Sequence, residues 1–229
     1  MGLIDVILIL GPLAVVPLAR PLLARDWFPP GSVVLVAALL FGVAFLFDTT
    51  GAPAFLTVPW FAVVAFALVR CGLDVLRRRA FTVLELALLV PYGYLLVSAW
   101  WSFLTRAGWT VAGISEPIVE LTGVHFLYAG FATMVLALRV ASVERVPRTL
   151  AFFGLACGVV GPVLVASGFT FEQGAFQVSG ALVMTAFAWT VAGCSAAFVV
   201  RRATGWARAL LVVSCVSVVA PMVLAVFWA

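Results

Sequence analysis

MGLIDVILILGPLAVVPLARPLL, Met1 to Leu23, sets how the rest of the chain is read. No basic residue precedes its apolar run, and its arginine, Arg20, follows it. A cleaved leader has the opposite order, with a basic region ahead of a shorter apolar core and small residues at a cleavage site. The stretch is therefore expected to be a first membrane span, since about 20 apolar residues let a helix cross a hydrocarbon layer of about 30 Å. Seven further apolar runs follow it. Together they predict helices over 3–22, 31–47, 54–76, 81–104, 117–140, 150–168, 175–200 and 209–228. The second run is the shortest and ends at Asp48, ahead of Thr49, Thr50 and Gly51.

Composition points the same way. The 229 residues are 66% hydrophobic and 10% charged, with a mean hydropathy of +1.26. A soluble domain carries about 25% charged residues, and helices apolar on every side need lipid around them. The connections are short and no polar run is long enough to fold alone. The expected fold class is an all-α polytopic transmembrane bundle of about eight spans, forming one transmembrane domain over 1–229 with the lipid bilayer as its partner.

Charge gives an orientation. The thirteen basic residues are all arginines. Arg20 and Arg25 follow the first span, and Arg77, Arg78 and Arg79 follow the third, with Arg70 just before them. Arg139, Arg145 and Arg148 follow the fifth, and Arg201, Arg202 and Arg208 the seventh. Eight crossings put all of these on one side and leave only Arg106 on the other. The positive-inside bias makes the arginine side cytoplasmic and puts both termini outside. Asp5, Asp48, Glu116, Glu120 and Glu172 then lie toward the outer side, so the outer half is acidic. Arginines at span ends are the mark of topology, not of phosphate recognition along a basic stripe, and no nucleic-acid partner is expected. Cys71, Cys157, Cys194 and Cys215 all fall inside apolar segments, with no CxxC and one histidine in the chain. Neither a metal site nor a disulfide framework is expected from that spacing, and no cofactor is implied.

Chemistry concentrates at the start of the fifth span, EPIVELTGVHFLYAGF, Glu116 to Phe131. Ionisable groups at membrane depth are functional candidates unless paired or wet. At about 100° per residue, Glu116 and Glu120 share a helix face, whereas His125 lies about 140° from Glu120 and about 7.5 Å deeper. Those two cannot form a dyad within one helix. Tyr128, about 60° from His125, and Thr122 are expected beside the imidazole, with a further group from another helix. Two neighbouring carboxylates disfavour ionisation of both, which marks Glu120 as the candidate proton donor and Glu116 as its neighbour. A structural pairing of Glu120 with Arg106 or with a backbone group is the competing reading. Asp5 and Asp48 are further candidates for the outer site, as against simple solvation at helix ends. Gly123 and Gly130 fall on the side of Glu120 and would let neighbouring helices approach closely.

The remaining signals are coarser. Pro12, Pro17, Pro59, Pro91, Pro162 and Pro221 lie inside spans, each removing a backbone hydrogen bond, and kinked helices around a central cavity are expected from them. Trp60, Trp100, Trp101, Trp109 and Trp228 fall near one boundary and Trp27 and Trp206 near the other, as in an interfacial belt. Trp189 is mid-span and, with Tyr92 and Tyr94 beside Pro91, is a candidate wall of an aromatic pocket. Asp74 is expected to pair with Arg70 or Arg78, and Glu85 with Arg70 or Arg77.

The run HFLYAGF, His125 to Phe131, resembles the HFxYAGF signature of YndJ-like bacterial membrane proteins. The resemblance implies a multi-pass protein of the bacterial cytoplasmic membrane in which His125, Tyr128 and Gly130 matter. Members of that family are often labelled transporters. In size and span count the chain is also broadly similar to small membrane-bound terpene cyclases. The expected function is an integral membrane enzyme performing acid/base chemistry, a cyclisation or isomerisation, on a lipophilic small molecule in an outer-leaflet cavity. Glu120, Glu116, His125 and Tyr128 would carry the chemistry, and Trp189, Tyr92, Tyr94, Asp48 and Thr122 would line the substrate site. A small proton-coupled transporter and a non-catalytic accessory subunit are the alternatives.

Overall fold

The computed structural model describes residues 2–23, 25–47, 49–79, 81–111, 113–114, 116–171 and 173–228. Asp48 and Glu172 lie outside the described residues. The chain is 83% helical, with no strand among the described residues. Its helices are α1 (Leu3–Leu22), α2 (Gly31–Ala44), α3 (Ala52–Arg78), α4 (Val83–Ala107), α5 (Ile118–Ala141), α6 (Arg148–Phe169), α7 (Gly174–Arg202) and α8 (Gly205–Leu224). All but α2 are long and apolar enough to cross a membrane, so this is a multi-pass membrane protein.

The apolar run expected over 31–47 yields a helix of only 14 residues, about 21 Å long. It stops early because other groups take its last carbonyls. Phe45 and Leu46 close the end with tight bonds to Gly42 O and Val43 O, and the Arg106 guanidinium donates to Phe47 O and, at 2.6 Å, to Thr49 O. The same guanidinium stacks on the Phe45 ring at 5.2 Å. Gly51 N–H returns a bond to Arg106 O at 2.8 Å. The end of α2 and the end of α4 are thereby tied together through one cation.

Two compact units divide the chain, Met1–Val135 and Leu136–Ala229. In the first, α4 is central and packs against α3 and α5. Leu8, Phe41, Trp60, Tyr92, Leu95 and Phe131 are among its fully buried side chains. Trp60 packs edge-on against Phe41 and Trp27 edge-on against Tyr92. Both are buried within the protein, whereas Trp100, Trp109 and Trp206 are exposed. The expected close approach of α5 is present. A Cβ on Gly130 would stand 2.9 Å from Tyr94 Cβ, and one on Gly123 would stand 3.3 Å from Ser102 Oγ.

Two helices of this unit widen locally into π-turns, Gly11–Val15 in α1 and Phe126–Ala132 in α5. The first has a clear cause. Pro12 has no N–H for the Leu8 carbonyl, so Gly11 gives its own N–H there. That leaves Ile7 O, which accepts the Tyr128 hydroxyl proton at 2.9 Å. In the second, the Thr133 hydroxyl donates five residues back to Tyr128 O at 2.9 Å. The turns meet closely, since a Cβ on Gly11 would overlap Leu127 Cδ2.

Other prolines also sit at breaks. Pro59 follows the 3-10 turn Ala52–Thr57, and Pro91 follows the break at Leu88. Pro162 is the exception, inside the continuous helix of α6. An apolar groove of about 590 Å³ opens at the surface between α2 and α3, walled by Pro29, Val33, Val36, Pro59, Val63 and Phe66 among others.

In the second unit, α6 and α7 form a tight hairpin. A Cβ on Gly180 would stand 2.7 Å from Val165 N, and one on Gly168 would stand 2.7 Å from Gln177 N. Glycine at both positions lets backbone meet backbone without a side chain between them. Val140, Val146 and Cys194 form a small buried cluster, and Thr185 Oγ1 donates to Ala181 O at 2.8 Å.

Candidate functional site

The first turn of α5 gathers the acids. Glu116 is exposed and accepts the Glu120 N–H at 3.1 Å, so it caps the helix that Glu120 begins. A carboxylate there meets unsatisfied N–H groups and the positive end of the helix dipole. Glu120 is half-buried, and its carboxyl group lies close enough to that of Asp5, in the first turn of α1, for the two to act on each other electrostatically. Arg106 lies close enough to act on Glu120 electrostatically. Its hydrogen bonds nonetheless go to the Phe47 and Thr49 carbonyls. No ion pair joins Glu120 to Arg106 among the described residues; Asp5 and Arg106 both act on Glu120 through space.

His125 lies deeper in the helix. Its ring meets Phe126 edge-on at 5.6 Å, and Nε2 is buried without a hydrogen-bond partner among the described residues. Thr105 Oγ1 and Arg106 Nε share that condition. Thr122 and Tyr128 do not approach the imidazole as donors. The Thr122 hydroxyl bonds back to Ile118 O at 2.7 Å, and Tyr128 is tied to Ile7. The rotation of about 100° per residue, used to set Tyr128 beside His125, fails from Phe126 onward because the π-turn winds more widely.

Tyr92 and Tyr94, two residues apart on α4, face different neighbours. Tyr92 is fully buried against Trp27 and Phe28 and donates to Arg25 O at 3.4 Å. Tyr94 packs on Phe126. Trp189, on α7 in the second unit, is 45% exposed. None of the three lines the groove between α2 and α3, and neither do the acids or His125.

Two features escaped the sequence reading. Ser98, Ser102 and Thr105 are buried on α4, with Ser98 Oγ donating to Gly123 O at 2.7 Å and Ser102 Oγ to Ser98 O at 2.9 Å. Their i, i+4, i+7 spacing marks one polar helix face, a signal present in the sequence. The second is Arg25, which joins Asp74 at 3.1 Å and Glu85 at 3.2 Å. Asp74 also pairs with Arg78 at 2.8 Å, as expected, whereas Glu85 takes Arg25 in place of the arginines of α3. Arg25 lies in the connection ahead of α2, so only the fold brings it to these acids.

No curated protein and no solved structure matches the chain. Residues 6–229 match a family model, and the HFLYAGF segment, which overlaps the π-turn of α5, lies within that match. The chain is a member of the YndJ-like protein family over essentially its whole length.

Proposed function

We propose that the chain is an integral membrane enzyme that isomerises or cyclises a lipophilic molecule by acid/base chemistry. The observation that supports this is the gathering of the Asp5 and Glu116 carboxyl groups around Glu120 beside a buried arginine, where neighbouring carboxylates disfavour full ionisation. Glu120 gives its proton to a carbon of a substrate double bond. His125, whose Nε2 is free to accept, takes a proton from another carbon of the resulting cation, so the substrate gains and loses one proton and no redox partner is needed. Glu120 and His125 point about 140° apart, which suits removal of the proton at a different carbon from the one that received it. Arg106 offsets the negative charge that Glu120 gains when it gives up its proton. Tyr128 serves as a positioning residue that holds α1 against α5.

A second reading, proton-coupled transport, draws support from the buried face of Ser98, Ser102 and Thr105, which continues from Arg106 into α4. One experiment separates the two. The full chain is reconstituted into vesicles of bacterial polar lipid in heavy water, and the lipids are analysed by mass spectrometry. The enzyme reading expects deuterium at carbon in a lipid component, abolished by Glu120→Gln and by Asp5→Asn. No incorporation with the unaltered chain, together with proton flux reported by an entrapped pH-sensitive dye, would overturn it in favour of transport.

A further inference from the structure

We infer that the groove between α2 and α3 is a binding site for one anionic phospholipid, with Arg70 holding its headgroup phosphate. The groove measures about 590 Å³, within the range of about 300–1,000 Å³ usual for small-molecule sites. Its walls are apolar, with Ser32 the only hydroxyl-bearing residue among those lining it, so they suit an acyl chain. Val36 and Phe66 are 56% and 46% exposed on the walls, so the groove opens toward the bilayer.

What selects an anionic lipid is the cation beside it. Phe66 walls the groove, and its ring carries the Arg70 guanidinium at 5.7 Å. Arg70 stands eight residues before Arg78 in α3, about 12 Å farther along the axis, well inside a spanning helix. A charge at that depth needs a counter-charge or water. The acids of its own helix and of α4 do not supply one: Asp74 pairs with Arg78 and Arg25, and Glu85 with Arg25. No carboxylate pairs with Arg70 among the described residues, and a lipid phosphate is the anion the bilayer itself supplies. The shortness of α2 assists. At about 21 Å it falls short of the ~30 Å hydrocarbon layer, and a short helix thins the bilayer locally, drawing headgroups inward on the side where Arg70 waits.

The test uses the full chain, purified in detergent, stripped of lipid, and offered phosphatidylglycerol or phosphatidylcholine with identical acyl chains. Bound lipid is counted by native mass spectrometry. Phosphatidylglycerol should be retained about five-fold more than phosphatidylcholine, the preference that one surface arginine confers. Arg70→Gln should remove that preference, whereas Arg208→Gln, which loses the same charge elsewhere, should keep it. Ala62→Leu, which narrows the groove while remaining on an exposed face, should reduce retention of both lipids. Excess inorganic phosphate should not displace the lipid, because the acyl chain contributes to binding. Equal retention of the two lipids, an unchanged preference in Arg70→Gln, or displacement by phosphate alone would each overturn the assignment.

Discussion

Gly130 limits how closely α5 can lie on α4. With a Cβ there only 2.9 Å from Tyr94 Cβ, Gly130→Ala should lower stability by about 1–3 kcal/mol through overpacking. Thermal unfolding in detergent should show it directly. Gly193→Ala is the matching control: that site has nothing within 4 Å, so its midpoint should stay or rise. Arg106 makes a second residue-scale prediction. The residue is 7% exposed, and its guanidinium donates to two carbonyls. Arg106→Gln should lower stability by about 1.5–3 kcal/mol, the range for hydrogen bonds to a charged group. Arg106→Lys should restore little of this, since an ammonium cannot also stack flat on Phe45. Both the acids of α5 and the small residues beside them were legible in EPIVELTGVHFLYAGF. That Glu120 would meet Asp5 was not, because the two are distant in sequence and spacing within one helix says nothing about what another helix brings.

At the scale of elements, the apolar runs gave spans that the structure reproduces with one exception. Hydropathy sees a run of 31–47, whereas α2 ends at Ala44. The difference is made by carbonyl partners from α4, which hydropathy does not register. The π-turns were invisible for the same reason. They depend on where each N–H goes once Pro12 withholds one. This chain of bonds predicts a coupling. Tyr128→Phe should cost about 0.6 kcal/mol, and up to about 1.7, as hydrogen bonds between membrane helices do. Pro12→Ala returns an N–H to Leu8 O and releases that of Gly11 for Ile7 O. In the Pro12→Ala background Tyr128→Phe should therefore cost less than it does alone. Additive costs in a double-mutant cycle would show that Ile7 O does not link the two.

For the whole molecule, the arginine distribution makes a prediction about sidedness. If the arginine-rich connections face the cytoplasm, a cysteine introduced at Trp109 should react with an impermeant maleimide added to intact cells, and one at Glu144 only after the membrane is opened. Both positions are exposed, and the labelling is done in a chain whose four native cysteines are replaced. The opposite pattern would invert the topology. Counting arginines could sort the faces but not find the ion cluster on one of them. Arg25 reaches Asp74 and Glu85 across 49 and 60 residues, a meeting that only helix packing arranges.

The π-turn of α5 also bears on how the chain tolerates changes in length. Such a turn holds one residue more than the α-helix on either side needs. Loss of Ala129 would let residues 126–132 close as ordinary helix while the flanking residues keep their facing. The same loss in the unbroken helix of α6 would swing every later side chain by about 100°, carrying Gly168 away from Gln177. A deletion in α5 is thus absorbed where it occurs, and what it removes is the local bulge that presents Tyr128 to α1.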